Sequence, residues 1–212
     1  MVTGKKVLVL APHTDDAELG CGGTMARFAE EHRELFVSVF SNAEDSVPPG
    51  WPANTLRREC EASLPKLGVL RRNVLFHNYK VRYFSSIRQK VLEDMIELKK
   101  RIRPDIVLMP SPNDLHQDHQ VVCAEAMRAF KESTMFGYEI PWNQLDSYTN
   151  AFMVLNKTHI KRKWTALSQY KSQLSLGRPY FQKDYVESLA RIRGLQVKMD
   201  WAEAFQVLRI KI

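Results

Sequence analysis

The sequence predicts a Rossmann-like, three-layer α/β sandwich with a mostly parallel central sheet. Three observations carry that expectation. Val7–Ala11 and Asp105–Met109 are apolar runs without alternation, each closed by a proline, the pattern of strands buried on both faces. Stretches of helical apolar periodicity separate the strand-like runs, the rhythm of a parallel sheet with right-handed crossovers. Dense polar clusters follow both runs directly, where ligands bind in open α/β sheets.

Taken in order, Val7–Ala11 is the first strand. Gly20, Gly22 and Gly23 suggest a turn, after which Thr24, Met25, Phe28 and Ala29 read as a helix. Leu35–Phe40 is a second strand, and Asn42–Pro52, with Pro48, Pro49 and Gly50, is a loop. Leu56, Cys60, Leu64 and Leu67 fall on one face of a helix over 55–67, stopped by Gly68 and kinked by Pro65. A short strand at 74–76 precedes a long helix that starts at Ser85 or Ser86 and runs to Ile102, where Pro104 ends it. Strands are expected near 135–140, 151–155 and 205–210, with helices near 159–173 and 183–193. No repeat or low-complexity linker interrupts the chain, so 1–212 reads as a single domain.

The composition narrows the class. Of the 212 residues 44% are hydrophobic and 26% charged, which fits a globular domain with its own core. No apolar run approaches the ~18 residues of a membrane span. Lys5 and Lys6 before Val7–Ala11 imitate a signal peptide, but Asp15 and Asp16 follow at once without a cleavage site; a cytoplasmic protein is expected. Cys21, Cys60 and Cys123 are scattered and lack a C-x-x-C pair, so each reads as a small buried apolar residue. The net charge of +7 is uneven: residues 151–212 hold 12 Lys and Arg against 4 Asp and Glu. Such a basic region could attract an anionic substrate or a nucleic acid, yet no basic helix interleaved with aromatics supports the latter.

The chemistry concentrates in Pro12–Glu18 and Pro112–His119. A hydrolytic zinc takes three His or carboxylate ligands and keeps a fourth position open. His13, Asp16 and His119 would supply that set, leaving Asp15, His116 and Asp118 for acid–base work. Single residues of this kind are commonly caps or turns; the density of His116-x-Asp118-His119 after a buried strand is harder to explain by packing. Gly20-Cys21-Gly22-Gly23 lacks the G-x-G-x-x-G spacing, and acids ahead of it would repel phosphates. His32, His77 and His159 lie outside these two His-Asp clusters and read as ordinary surface or core residues.

Ala11–Thr24 resembles the signature of the LmbE-like (PIG-L) N-acetylglucosamine deacetylases, roughly H-P-D-D-x-x-x-G-x-G-G-T, with Thr14 in place of the usual proline. His116–His119 resembles the family's H-x-D-H. Lys171–Gln173, Arg193-Gly194, Ala202–Phe205 and Arg209 resemble its later motifs. The resemblance implies a zinc-dependent hydrolase (with Fe²⁺ also suited to the ligand set) that removes the acetyl group from an N-acetylated amino sugar or its conjugate. It implies His13, Asp16 and His119 as metal ligands and Asp15 as general base. His116 becomes the acid or oxyanion-stabilising imidazole, with Asp118 orienting it and favouring its protonated form. Arg57 and Asn42 are expected to contact substrate, with Arg58 a second candidate beside Arg57, although Leu56 occupies one position where an arginine is anticipated. Residues 134–212, the basic C-terminal part, are expected to help frame the substrate site. A small, anionic N-acetylated sugar is the implied partner, without nucleic acid or a membrane span; a homo-oligomer is left open. The alternative is a non-catalytic sugar- or nucleotide-binding α/β module, distinguished by loss of the ligand set, which here is whole.

Overall fold

A computed structural model describes residues 5–146 and 148–212. Seven strands form one sheet in the order β3-β2-β1-β4-β5-β7-β6. In chain order these are β1 (Lys6–Ala11), β2 (Glu34–Val39), β3 (Val74–Phe76), β4 (Ile106–Pro110), β5 (Thr134–Tyr138), β6 (Ala151–Leu155) and β7 (Trp201–Arg209). The five neighbouring strands from β3 to β5 run parallel, while β7 is antiparallel to both β5 and β6. The helices are α1 (Asp16–Glu30), α2 (Thr55–Ser63), α3 (Arg88–Ile102), α4 (Gln117–Ala129), α5 (Lys157–Leu167), α6 (Lys171–Leu174) and α7 (Lys183–Leu195).

The unalternating apolar strands have a direct cause. Val7, Val9, Ile106 and Leu108 enter a core shared with Met25 of α1, Leu56 of α2, Ile160 of α5 and Val186 of α7. Leu8, Leu10, Val107 and Met109 enter a second core with Val91 and Met95 of α3 and Val122 and Ala126 of α4. Both faces of the sheet are therefore apolar, giving the expected three layers. All three cysteines are buried and free. Among the described residues no helix is long and apolar enough to cross a membrane.

Several boundaries differ from expectation. Gly20, Gly22 and Gly23 form no turn; they lie inside α1, which kinks at Cys21 (φ −146°, ψ 23°). The groups freed by the kink find remote partners. Glu203 of β7 accepts from the Gly23 and Thr24 amides at 2.9 and 2.6 Å, and Lys163 of α5 donates to Leu19 O at 2.8 Å. The glycines serve close packing: a Cβ on Gly20 would fall 2.3 Å from the Tyr138 ring. The α2 helix ends at Ser63, and Pro65 sits in a 3-10 turn over Leu64–Leu67, where its missing amide is harmless. The helix expected over 159–173 is two, α5 and α6, and the last strand begins at Trp201.

The β1–β4 pairing positions the site. Val7, Leu8 and Val9 pair in register with Ile106, Val107 and Leu108. The sheet builds outward in both directions from this pair, so the loops leaving the two strands diverge and open a crevice between them.

Candidate metal centre and cleft

Each polar cluster occupies the junction between one of these central strands and its helix. After β1, Pro12–Asp15 turn the chain and Asp16 opens α1; the Asp16 carboxylate accepts from the His13 amide at 2.7 Å. After β4, His116 caps α4, its Nδ1 accepting from the Asp118 amide at 3.2 Å. The first turn of α4 then points Asp118 and His119 at the β1 loop. An anionic side chain in the first helical turn also complements the helix dipole.

Three atoms converge. His13 Nδ1 lies 3.2 Å from Asp16 Oδ2, His119 Nε2 lies 3.2 Å from the same oxygen, and the two nitrogens are 3.3 Å apart. Ligand atoms about 2.0–2.1 Å from a tetrahedral zinc are separated by about 3.3–3.4 Å, so this triangle fits a divalent cation. The outward ring nitrogens are held by carboxylates: His13 Nε2 meets Asp118 Oδ2 at 3.0 Å, and His119 Nδ1 meets Asp114 Oδ2 at 2.8 Å. Carboxylates on the far nitrogen fix tautomer and ring angle in metal-binding histidines. His116 brings a third imidazole, and one nitrogen from each of the three rings falls within 4.8 Å of the others.

The charges are strongly coupled. Burial resists protonation of His119, but Asp16 and Asp114 outweigh it and lift its pKa to about 10. Burial likewise opposes, and Asp16 and Asp118 overcome, a rise at His13. Asp16 itself would be raised by burial, but His119 and His13 hold it well below the usual carboxylate range. Asp15 is pushed up to about 6 by burial and the neighbouring Asp16 charge, against the pull of His13 and Arg178. His116 falls to about 4 through burial and the proximity of His119 and His13.

Two expectations about this cluster need correction. Asp118 does not orient His116 through its carboxylate. That carboxylate faces His13 and also accepts from the Arg82 and Phe84 amides, at 2.6 and 3.2 Å. Nor is His116 held protonated, because its Nδ1 accepts a hydrogen bond and its neighbours repel a second proton. Asp114 had no assigned role, yet it supports His119 and its Oδ1 accepts from the His116 amide at 2.9 Å.

These groups form the floor of an open cleft of about 340 Å³, lined further by Leu56, Arg82, Asn143, Gln173, Arg178 and the aromatic pair Trp142 and Tyr180. Asp15 lines it too. The C-terminal part also supports the floor from behind: the Tyr170 hydroxyl lies 2.5 Å from the Thr14 carbonyl oxygen and 2.9 Å from the buried Glu18 carboxyl. Burial pushes Glu18 up to about 8.

Arg57 is not brought to this cleft. It lies on the exposed side of α2, bonded to Glu61 at 3.1 Å and stacked over Phe76, while the preceding residue, Leu56, faces the cleft. Asn42 is buried and donates to Asn78 at 3.0 Å in an adjoining groove with Ser41, Glu44 and Asp45. Ala43 and Val81 border both groove and cleft.

His77 and His159 have acidic company after all, Asp94 at 3.2 Å and Glu30 at 2.6 Å, supplied by distant segments. Ser38 Oγ lies 3.0 Å from His77 Nε2, completing a Ser-His-Asp chain. Ser38 has 0% exposure, so no acyl group can reach it, and the chain is structural.

Comparison with known proteins bears on the family and the fold. A family profile described as GlcNAc-PI de-N-acetylase (PIG-L) matches residues 8–130. The "uncharacterized deacetylase YaiS" of Escherichia coli K12 is 26% identical over 178 residues, covering 79% of this chain and 91% of YaiS. The N,N'-diacetylchitobiose deacetylase of Pyrococcus horikoshii superposes with a TM-score of 0.80 at 19% identity, covering 97% of this chain and 84% of that one. GalB, a 4-carboxy-2-hydroxymuconate hydratase from Pseudomonas putida KT2440, superposes with a TM-score of 0.81 at 20% identity over 98% of both chains. The two structural likenesses establish the shared fold. Since one partner is a hydratase, fold alone does not decide the reaction.

Proposed function

The chain belongs to the PIG-L (GlcNAc-PI de-N-acetylase) family, and on that premise we propose that it is a divalent-metal-dependent hydrolase acting on the N-acetyl group of an amino sugar or its conjugate. The observation that carries this reading is the His13–Asp16–His119 triangle, with sides of 3.2, 3.2 and 3.3 Å, at the floor of an open cleft. These three residues would hold the cation, zinc or ferrous iron. When bound, such a cation supplies Lewis acidity toward the amide carbonyl and makes water a stronger acid.

The chain's own residues then perform the proton transfers. Asp15, with a pKa near 6, is already largely ionised at neutral pH, and a nearby cation lowers that value further. Its carboxylate takes a proton from the attacking water as the water oxygen bonds to the carbonyl carbon. His116 is uncharged at neutral pH, and because its Nδ1 accepts from the Asp118 amide, its proton lies on Nε2. That N–H donates a hydrogen bond to the oxygen that becomes negative, a contribution worth about 3–4 kcal/mol in comparable hydrolases. As the C–N bond breaks, Asp15 returns its proton to the departing amine, and the products are acetate and the free amino sugar. Asp114 and Asp118 act as positioning residues for His119 and His13.

The reading is tested by metal analysis of the purified protein together with amine release from N-acetylglucosamine and N,N'-diacetylchitobiose. Asp15→Asn should retain the bound cation and lose about 10²- to 10⁴-fold in kcat. Parental turnover in that variant would remove Asp15 from the proton-transfer role. Absence of amine release from every N-acetylated sugar tried would remove the deacetylase reading.

A further inference from the structure

Above the acidic floor, one wall of the cleft has a different chemistry. Trp142 and Tyr180 stack in parallel, their centroids 4.1 Å apart and their planes 14° from coplanar. Trp142 is nevertheless 41% exposed, a large cost in apolar surface for a residue that lines the cleft. Arg178 donates through Nη1 to the Tyr180 hydroxyl at 2.7 Å, and its guanidinium lies 5.8 Å from the Tyr180 ring. This fixes the head group in the cleft, and among the described residues its other N–H donors take no hydrogen-bond partner.

The wall is anchored to the floor at both ends. Pro141–Asn143 and Pro179–Phe181 are 3-10 turns opened by proline. The Asn143 carbonyl accepts from the Leu115 amide at 2.8 Å, directly before His116. Phe181 is fully buried against the ring of Tyr170, whose hydroxyl holds the Thr14 carbonyl beside Asp15. Aromatic surface and guanidinium are therefore held at a set position relative to the reacting groups.

We infer that Trp142, Tyr180 and Arg178 select the substrate by the group attached to its amino sugar, a group bearing a carboxylate or phosphate that pairs with Arg178 while a ring packs on Trp142. This rests on the deacetylase reading for its orientation, with the acetamide on the floor and the anionic end at the wall. Exposed aromatic faces pack against ring C–H surfaces, and the planar fork of arginine matches carboxylate and phosphate. The acids of the floor disfavour an anion there except at the cation itself, and an anion held by the cation would keep its advantage in Arg178→Gln. Arg82 also lines the cleft and is the competing guanidinium.

The test measures binding of three probes to the metal-loaded protein by calorimetry: the methyl glycoside of N-acetylglucosamine, its carboxymethyl glycoside, and N-acetylglucosamine 1-phosphate. At least one anionic probe should bind about tenfold tighter than the neutral one, and which one does so separates carboxylate from phosphate. Arg178→Gln should bring that ratio close to one, Arg178→Lys should keep part of it, and Trp142→Ala should weaken all three probes about fivefold. Thermal melts establish that each variant is folded. Equal binding of charged and neutral probes, no binding of any, an unchanged ratio in Arg178→Gln, or its loss in Arg82→Gln instead would each overturn the inference. Amine release is scored separately. Probes that bind with this preference but release no amine would refute the deacetylase reading and leave the subsite intact.

Discussion

Replacing Asp114 with asparagine should weaken cation binding without touching a ligand. Asp114 is 1% exposed, its Oδ2 lies 2.8 Å from His119 Nδ1, and its Oδ1 accepts from the His116 amide at 2.9 Å. For His119 to offer the Nε2 lone pair, its proton must sit on Nδ1. Both contacts at position 114 then need an acceptor, and asparagine supplies only one. Whichever way the amide is turned, its NH₂ meets another N–H, or His119 changes tautomer and covers the lone pair with a proton. Loss of such a supporting carboxylate costs about 10- to 100-fold in metal affinity, equivalent to about 1.4–2.7 kcal/mol. Zinc affinity is measured by competition with a fluorescent chelator at fixed pH. An affinity within about threefold of the parent would show that the 2.8 Å contact does not position His119, and the account of the site's support would fail.

Other consequences follow from the same structure. The His119 pKa of about 10 lies above its ordinary 6.5, so its stabilising contribution in the metal-free protein is complete below about pH 6.5 and is lost as pH rises through 10; apparent zinc affinity should therefore climb at least tenfold per pH unit between 6 and 8, since binding displaces that proton. A flat chelator titration over this range would contradict the charge coupling at the site. Glu203→Gln leaves the buried Lys163 ammonium, now 2.7 Å from Glu203 Oε1, without its counter-charge, a loss of about 3–5 kcal/mol or roughly 10 °C in Tm for a chain of this length. Adding Lys163→Met should return part of that loss, whereas a melting temperature within 2 °C of the parent in the single variant would show the ion pair is dispensable.

The parts of the fold that could be read from sequence are those where local pattern and tertiary role coincide. Val7–Ala11 and Ile106–Met109 read as buried strands because the sheet has apolar cores on both sides. The His-Asp clusters announced a site because each directly follows such a strand. Arg57 does not reach the cleft because consecutive helical residues point about 100° apart; the motif spacing that marks position 56 is the better guide, and it is Leu56 that faces the cleft. Asp118 failed by adjacency: proximity in sequence to His116 suggested a partner, but the first turn of α4 carries its carboxylate to His13, 105 positions away. The glycines of α1 read as a turn because what accommodates them is remote in sequence: Glu203, which accepts from the Gly23 amide, lies 180 positions away. Trp142 and Tyr180 carried no periodic signal, since two separate loops bring them into contact.

What separates the cleft histidines from the others is the local balance of charge, and carboxylate contact by itself does not. His77 and His159 each meet one carboxylate, so one proton neutralises either pair. At the cleft floor His13 and His119 face three buried carboxylates, Asp16, Asp114 and Asp118, exposed by only 5%, 1% and 0%. Two protonated imidazoles leave one negative charge uncompensated there; one divalent cation with two neutral imidazoles leaves the same net charge. The arrangement therefore accepts a dication in place of two protons with no change in its overall charge, so the exchange adds no further unmatched charge to the buried site. It also presents three ligand atoms at separations that protons do not require. A pair built only to stabilise the fold would have needed fewer acids, and this excess of buried carboxylates is the physical reason to regard the floor as a metal centre.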